Sequence, residues 1–307
     1  MSSEDLQEGD VTVSQYSAEP NVAYDRLYVK QRVVKVTRLN PNTPISNKEI
    51  RFVCLSDTHS RIERTPDAIP FGDVLLHAGD LTNIGLAAHV DTFNTFLGML
   101  PHKVKFVIAG NHDISFDNSI MQNPQEFTKY IDVTRQYLQS RNLKSVKQLL
   151  TNCVYLEDST AEVCGIKIYG APWVPQYCDM GFNLERGQAL LDKWNHIPND
   201  TDILITHGPP LGRGDLSSMG LRAGCVELLN TVQRRVQPKV HLFGHIHEGY
   251  GMTSDGQTTF INASNCTVRC KCTNPPIVFD LPIPAGHSKS ELAAINMEDV
   301  NLTHKET

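Results

Sequence analysis

What this 307-residue chain lacks narrows its role first. None of its apolar runs approaches the roughly 18 residues that a membrane-crossing helix requires. It opens on MSSEDLQEGD, acidic and polar, without the basic start and apolar stretch of a secretory signal. The expectation is a soluble, cytoplasmic protein. Asn-x-Ser/Thr patterns at Asn262 and Asn265 therefore carry no glycosylation reading. A basic excess is also missing: the formal net charge is -6, a poor match to general nucleic-acid binding, which needs cations to neutralise phosphates. The 8 cysteines (Cys54, Cys153, Cys164, Cys178, Cys225, Cys266, Cys270 and Cys272) are scattered, which predicts free thiols in a reducing compartment. The cluster Cys266, Cys270, Cys272 lacks the paired C-x-x-C steps of a zinc site and reads as structural or incidental. Internal repeats and low-complexity tracts are absent.

What is present is a folding composition, with 40% hydrophobic and 20% charged residues. The boundaries read as an N-terminal extension over residues 1–45, one domain over 46–284 and a polar tail over 285–307. Within the extension, residues 27–39 partly alternate and predict an edge strand or hairpin arm. Its stripe of Lys30, Arg32, Lys35 and Arg38 reads as a solvated face. From Ile50 onward, strand-like runs alternate with helical periods over 86–100, 124–140, 185–194 and 225–236. That rhythm predicts an α/β protein, and the early and late strand groups suit two sheets packed face to face.

The chemistry-bearing residues sit where these strands end. Ser56-Asp57-Thr58-His59 follows IRFVCL, and Gly79-Asp80 follows DVLLHA. Gly110-Asn111-His112-Asp113 follows VKFVIA, His207-Gly208 follows DILIT, and Gly244-His245-Ile246-His247 follows KVHLF. Strand ends of α/β sheets are where loops converge on a rigid scaffold to bind ligands. Residues two apart on an extended chain point the same way, so Asp57 and His59 are expected to share one metal. His245 and His247 are expected to serve two neighbouring ones. Glycines before Asp80, Asn111 and His245 allow sharp turns and close backbone approach. Any one of these pieces is weak, because a lone buried His is usually a bonded core residue. Five ligand-bearing turns at five strand ends are a constellation. His77, inside a strand, is expected in the core or behind the ligands, and His241 reads as structural.

The order Asp-x-His, Gly-Asp, Gly-Asn-His-Asp, His, Gly-His-x-His resembles the signature of the calcineurin-like metallophosphoesterases, over residues 50–282. The wording LLHAGDLT, GNHD, THGPP, FGHIHEGYG and INAS is similar to the subgroup of metallophosphoesterase-domain proteins with animal brain-expressed members, itself similar to class III cyclic-nucleotide phosphodiesterases. The resemblance implies a four-layer αββα sandwich of two mixed sheets flanked by helices. It also implies one metal on Asp57, His59 and His247, another on Asn111, His207 and His245, and Asp80 bridging both. Oxygen and imidazole donors suit Mn first, with Fe, Zn and Mg as alternatives. A bridging carboxylate holds two cations roughly 3.5–4 Å apart, the separation used in phosphoryl chemistry. Some vertebrate members resembling this chain carry Gly at the position of His245; keeping His245 implies both metals and more activity here.

The implied reaction is phosphodiester hydrolysis of a nucleotide-type substrate, cyclic nucleotides included, by a hydroxide bridging the metals. His112 is the candidate to stabilise the transition state or protonate the leaving oxygen, with Asp113 orienting it. Arg213 and Asp215 are candidate substrate contacts at the entrance, and Trp173 and Tyr177 a candidate aromatic wall for a base. Competing readings are a protein phosphatase and a nucleotide-binding scaffold with weak residual catalysis. The first usually shows Gly-Asp-x-x-Asp-Arg and Gly-Asn-His-Glu, against Gly79-Asp80-Leu81-Thr82-Asn83 and Gly110-Asn111-His112-Asp113 here. His245 argues against the second. Nothing in the extension names a protein partner.

Overall fold

A computed structural model describes residues 11–61, 68–295, 297, 300 and 302–304; the acidic start, residues 1–10, and parts of the polar tail lie outside the described residues. Apolar residues alternate faces along the strands, and both faces are buried. In the strand Glu49–Leu55, Phe52 and Cys54 point to one core while Val53 and Leu55 point to another. Val74–Ala78 and Val104–Ile108 repeat the pattern. Double burial explains why these strands read as continuous apolar runs.

Among the described residues five strands form one mixed sheet. Glu49–Leu55, Val74–Ala78, Val104–Ile108 and Val154–Tyr155 run parallel, and Ile277–Pro282 lies antiparallel against the first. The second mixed sheet has eight strands among the described residues. At its centre Ile166–Ala171, Ile203–Thr206, Val240–Phe243 and Thr259–Asn262 are parallel, while Ser159–Val163 and Gly251–Ser254 join antiparallel. The central core lies between the sheets, with Phe52, Leu76, Phe106, Ile168, Ile205 and Leu242. The helices Ala87–Met99 and Thr128–Ser140 cover the outer face of the first sheet through Val90, Phe93, Phe96, Leu97 and Leu138. Gln188–Trp194, Val226–Asn230 and the π-helical turn Thr231–Val236 cover the second through Leu190, Trp194, Leu228 and Val232. The architecture is the four-layer αββα sandwich.

The extension differs from its sequence reading. Residues 27–39 contribute the short helical turn Tyr28–Lys30 and the edge strand Val34–Lys35, paired with Gly251–Ser254. Ahead of it stands a helix that no apolar period announced, Pro20–Leu27, with proline in its first turn. Ala23 of this helix is buried with Leu211, Val226 and Leu229, and Tyr24 and Leu27 pack beside them. Lys30, Arg32, Lys35 and Arg38 are exposed, and Arg38 stacks on the Tyr250 ring. The cysteines need a correction as well. Cys266 and Cys272 face each other across an antiparallel bridge and form a disulfide, so two of the expected free thiols are paired.

Candidate metal centre

The parallel strands of both sheets end on the same rim, and the residues of the five turns meet there. The donor atoms of Asp57, His59 and His247 lie within 4.8 Å of one another, as do those of Asp57, Asp80 and His207 and those of His59, Asp80 and His112. The convergence matches expectation, but its local cause does not. Asp57 and His59 are not on extended chain: their φ angles are 52° and 47°. Asp80 and His245, at 55° and 66°, share this left-handed region. Non-glycine residues held there cost about 1 kcal/mol or more each, and such strain gathers where a site needs it. The glycines leave room for the side chains. A Cβ on Gly79 would stand 2.6 Å from Ala109 O and from His207 Nδ1, and one on Gly244 would overlap Ser56 Oγ and the Asp57 carboxylate.

The donor atoms are presented by specific bonds. His207 Nδ1 donates to Ala78 O at 2.8 Å and His247 Nδ1 to Thr267 O at 3.1 Å. A carbonyl only accepts, so Nε2 of each ring is the atom turned to the cluster. There His207 Nε2 is 2.9 Å from Asn111 Oδ1 and 3.4 Å from Asp80 Oδ1. His245 Nδ1 is 2.9 Å from the same Asn111 oxygen. On the other side, His247 Nε2 is 3.4 Å from Asp57 Oδ1 and 3.3 Å from His59 Nε2, and His59 Nε2 is 3.6 Å from Asp80 Oδ2. Two donors about 2.1 Å from one cation stand about 3.0–3.4 Å apart at right-angled to tetrahedral geometry. The spacings of the cluster, 2.9–3.6 Å, are centred on that range.

Its electrostatics ask for positive charge. Burial opposes ionisation of Asp57 and Asp80, but the neighbouring histidines, His247 and His207 foremost, outweigh it and hold both carboxyls well below the usual range. Burial likewise opposes charging of His207 and His247, yet Asp80 and Asp57 respectively push these imidazoles up to about 9. His245 is lowered by burial to about 4, and His59 is also lowered, so their nitrogens keep free lone pairs. Two buried carboxylates, imidazole nitrogens and an amide oxygen are the donor chemistry of a divalent cation site; a bound cation would replace the positive charge that protonated His207 and His247 supply, and the residues fit the expected group.

Other candidates fall differently. His112 is half-buried, with its ring edge against His59 at 4.8 Å. Its backbone N–H donates to Asp80 Oδ1 at 2.9 Å, and its Nδ1 donates to Asn83 O at 2.8 Å, which leaves Nε2 for another partner. Asp113 does not orient it. The Asp113 carboxylate accepts from the N–H groups of Leu81, Thr82 and Gly110 and from Thr82 Oγ at 2.8–3.0 Å, so it ties two ligand turns together. Burial raises it to about 6, and these donors favour its charged form. Arg213 and Asp215 do not line the entrance. Both are buried, Arg213 stacked on Phe260 and bonded to Gln31 and Arg32, Asp215 paired with Arg222 at 2.6 Å. Trp173 is no free wall either: its Nε1 donates to Asp158 and Lys193 lies over its ring. Tyr177 is 63% exposed with its ring edge towards His245, and it does line a cavity beside the cluster. His77, bonded to Thr58 Oγ at 3.0 Å, and His241, bonded to Thr206 Oγ at 2.9 Å, are buried and lowered to about 3 by burial, as core histidines are.

Sequence reasoning missed the residues behind Asp57 and His245. Ser264 Oγ donates to Asp57 Oδ2 at 2.8 Å. Asn262 accepts from Ser264 N and donates to Ile246 O at 2.8 Å, which fixes the turn carrying His245 and His247. Asn265 Oδ1 accepts from Ser56 N at 3.1 Å. The available signal was the fully polar Asn-x-Ser-Asn step closing an apolar strand, a position where buried side chains must find partners. In Ser264→Ala, Mn²⁺ affinity measured by titration calorimetry is expected to fall about 10-fold, as for other groups that hold a ligand in place. Affinity within twofold of wild type would count against that role.

Residues 50–249 match the family model described as Calcineurin-like phosphoesterase. Metallophosphoesterase domain-containing protein 1 of Homo sapiens is 51% identical over 283 residues, covering 89% of this chain and 86% of the relative, and the Mus musculus protein of that name gives the same figures. UPF0046 protein T07D4.2 of Caenorhabditis elegans is 46% identical over 301 residues, covering 96% of this chain and 74% of the relative. No helix among the described residues is long and apolar enough to cross a membrane. The match to the family model spans all five ligand turns and the strands that lead into them, and this chain therefore belongs to the calcineurin-like phosphoesterase family of metal-dependent hydrolases.

Proposed function

We propose that this protein is a phosphodiesterase that works with two divalent cations, Mn²⁺ by preference, on a nucleotide-type phosphodiester. The observation that carries the reading is the setting of Asp80. Its Oδ1 faces His207 and its Oδ2 faces His59, so one buried carboxylate joins two donor sets. Asp57, His59 and His247 form one set, and Asn111, His207 and His245 the other. Bound cations would supply the Lewis acidity and the activated water for attack on phosphorus. The chain's own groups do the rest. With its Nδ1–H held on Asn83 O, His112 meets a substrate oxygen at the rim through Nε2, and in the doubly protonated ring that nitrogen donates to the leaving group or to the charge that builds there. Asp57 and Asp80 stay ionised and bring no competing proton. The cavity beside the cluster, about 430 Å³, offers Tyr177, Met219, Leu221 and Val268 to the part of the ester that leaves. A largely apolar wall beside an anionic centre suits a diester carrying a planar apolar group better than a small polar monoester.

The test is hydrolysis of bis(p-nitrophenyl) phosphate by metal-stripped protein with Mn²⁺ added back, for wild type and His245→Gly. Mn²⁺ is expected to restore activity, and the substitution to lower kcat about 100-fold, the order seen when one transition-state contact is lost. Activity absent across several metals, with no difference between the proteins, would favour a nucleotide-binding scaffold.

A further inference from the structure

The rim cavity has one wall supplied by residues 211–224, which bring Ser217, Met219, Leu221 and Arg222 opposite Tyr177 and His247. This segment has little regular structure of its own. Its internal support includes a turn, Ser217 N to Leu221 O at 2.9 Å, the Leu216–Arg222 bridge, and Asp215, whose backbone carbonyl accepts from Ala223 N at 2.9 Å and whose carboxylate accepts from Gly224 N at 3.3 Å. Its anchors to the rest of the chain are shared: Arg186 donates to Ala223 O at 2.8 Å and to Gly224 O at 2.7 Å, Asn262 donates to Gly214 O at 3.2 Å, Ser218 N donates to Glu248 Oε1, and the far N-terminal part of the chain holds Leu211, Arg213 and Arg222. Arg222 N donates to Asn21 Oδ1 at 2.7 Å, and the Arg222 guanidinium lies 3.6 Å over the Tyr24 ring while bonding Asp215. The buried Arg213 guanidinium has two acceptors, Gln31 Oε1 at 3.1 Å and Arg32 O at 2.9 Å, and both belong to the N-terminal segment. Leu211 is buried against Ala23, with Tyr24 and Leu27 alongside. Ser14 N donates to Glu227 Oε1 at 3.1 Å just beyond the segment. A buried guanidinium without acceptors and an apolar side chain without cover are both costly, so the N-terminal segment helps hold residues 211–224 on this course through Arg213, Leu211 and Arg222.

We infer that residues 14–32 are a positioning element for substrate: they brace the wall formed by residues 211–224 and so set the shape of the ester-binding cavity, without touching the ligand cluster. The inference rests on the proposed phosphodiesterase reading for its kinetic arm, but its structural arm is independent of any activity. Asn21 and Tyr24 contact Arg222 and neither is near a ligand, so their loss acts on substrate rather than on metal.

The experiment uses the full chain with Tyr24→Ala, Asn21→Ala and the ring-keeping control Tyr24→Phe. KM for bis(p-nitrophenyl) phosphate with Mn²⁺ is expected to rise about 5-fold in Tyr24→Ala and less in Asn21→Ala, with kcat within twofold and Mn²⁺ stoichiometry unchanged; Tyr24→Phe behaves as wild type. In parallel, hydrogen exchange at the Ser217 and Ala223 amides speeds at least 10-fold in Tyr24→Ala, while amides of the strand Ile203–Thr206 keep their protection. Unchanged KM and unchanged exchange overturn the inference, and so does a fall in kcat accompanied by loss of Mn²⁺. Should wild type hydrolyse nothing, the phosphodiesterase reading fails, and the exchange result alone still decides whether the segment is a brace.

Discussion

In Asp80→Asn, kcat for bis(p-nitrophenyl) phosphate is expected to fall at least about 1,000-fold, and bound Mn²⁺ to drop from two equivalents to one or fewer. The substitution keeps the shape of the side chain and removes its charge. Each carboxylate oxygen faces a different histidine, and the His112 N–H bonds Oδ1 at 2.9 Å. An amide offers one oxygen and one NH₂, so one donor set would meet hydrogens where it needs a lone pair. A 1,000-fold loss is about 4 kcal/mol of transition-state stabilisation, within what one strongly placed electrostatic group contributes. Thermal midpoint and metal content should be measured together. A folded variant that keeps two equivalents of Mn²⁺ and loses less than 10-fold in kcat would remove Asp80 from the bridging role, and a wild type that binds one equivalent or fewer would sink the two-cation proposal.

The largest effect on stability alone is expected at Arg51. Its guanidinium is buried and pairs in a fork with both oxygens of Asp280, each at 2.8 Å. It also donates to Thr43 O at 2.6 Å and Pro41 O at 3.3 Å, fastening the stretch ahead of the first core strand. Arg51→Ala leaves Asp280 and two carbonyls without their partner, a loss of about 3 kcal/mol, the low end for a broken buried pair because Asp280 keeps 15% exposure. The thermal midpoint should fall by roughly 5 °C. Mn²⁺ affinity should stay within twofold, since Arg51 lies at the end of its strand away from Asp57. A midpoint shift under about 2 °C would show that the fork contributes little; a large loss of affinity would show that the strand carries strain to the site.

These two residues differ in how they could be read. Asp80 is visible from its place, a carboxylate after a glycine at the end of an apolar strand, and a local pattern of that kind survives without any knowledge of packing. Arg51 sits inside such a strand and looks like a defect in it, because its partner lies 229 positions away. Arg213 was misread for the same reason. Near a ligand turn, an arginine suggests phosphate, but this one is covered by Gln31 and Arg32 and stacked on Phe260. Asp113 follows His112 in sequence, yet its carboxylate turns inward to the N–H groups of Leu81, Thr82 and Gly110.

The sequence by itself determined the α/β alternation, the apolar double-faced strands and the set of residues gathered on the rim, because strand periodicity and strand-end position are local properties. Only the tertiary structure decided how they serve one another. It turned Asp57, His59, Asp80 and His245 through left-handed backbone to meet. It assigned the ring nitrogens by pointing the others at Ala78 O and Thr267 O. It set Ser264 behind Asp57 across 207 residues, and laid Asn21 against Arg222 across 201. The physical reason is the same in each case: a hydrogen bond or a buried charge is satisfied by whatever group packing brings within about 3 Å, and separation along the chain places no limit on which group that is.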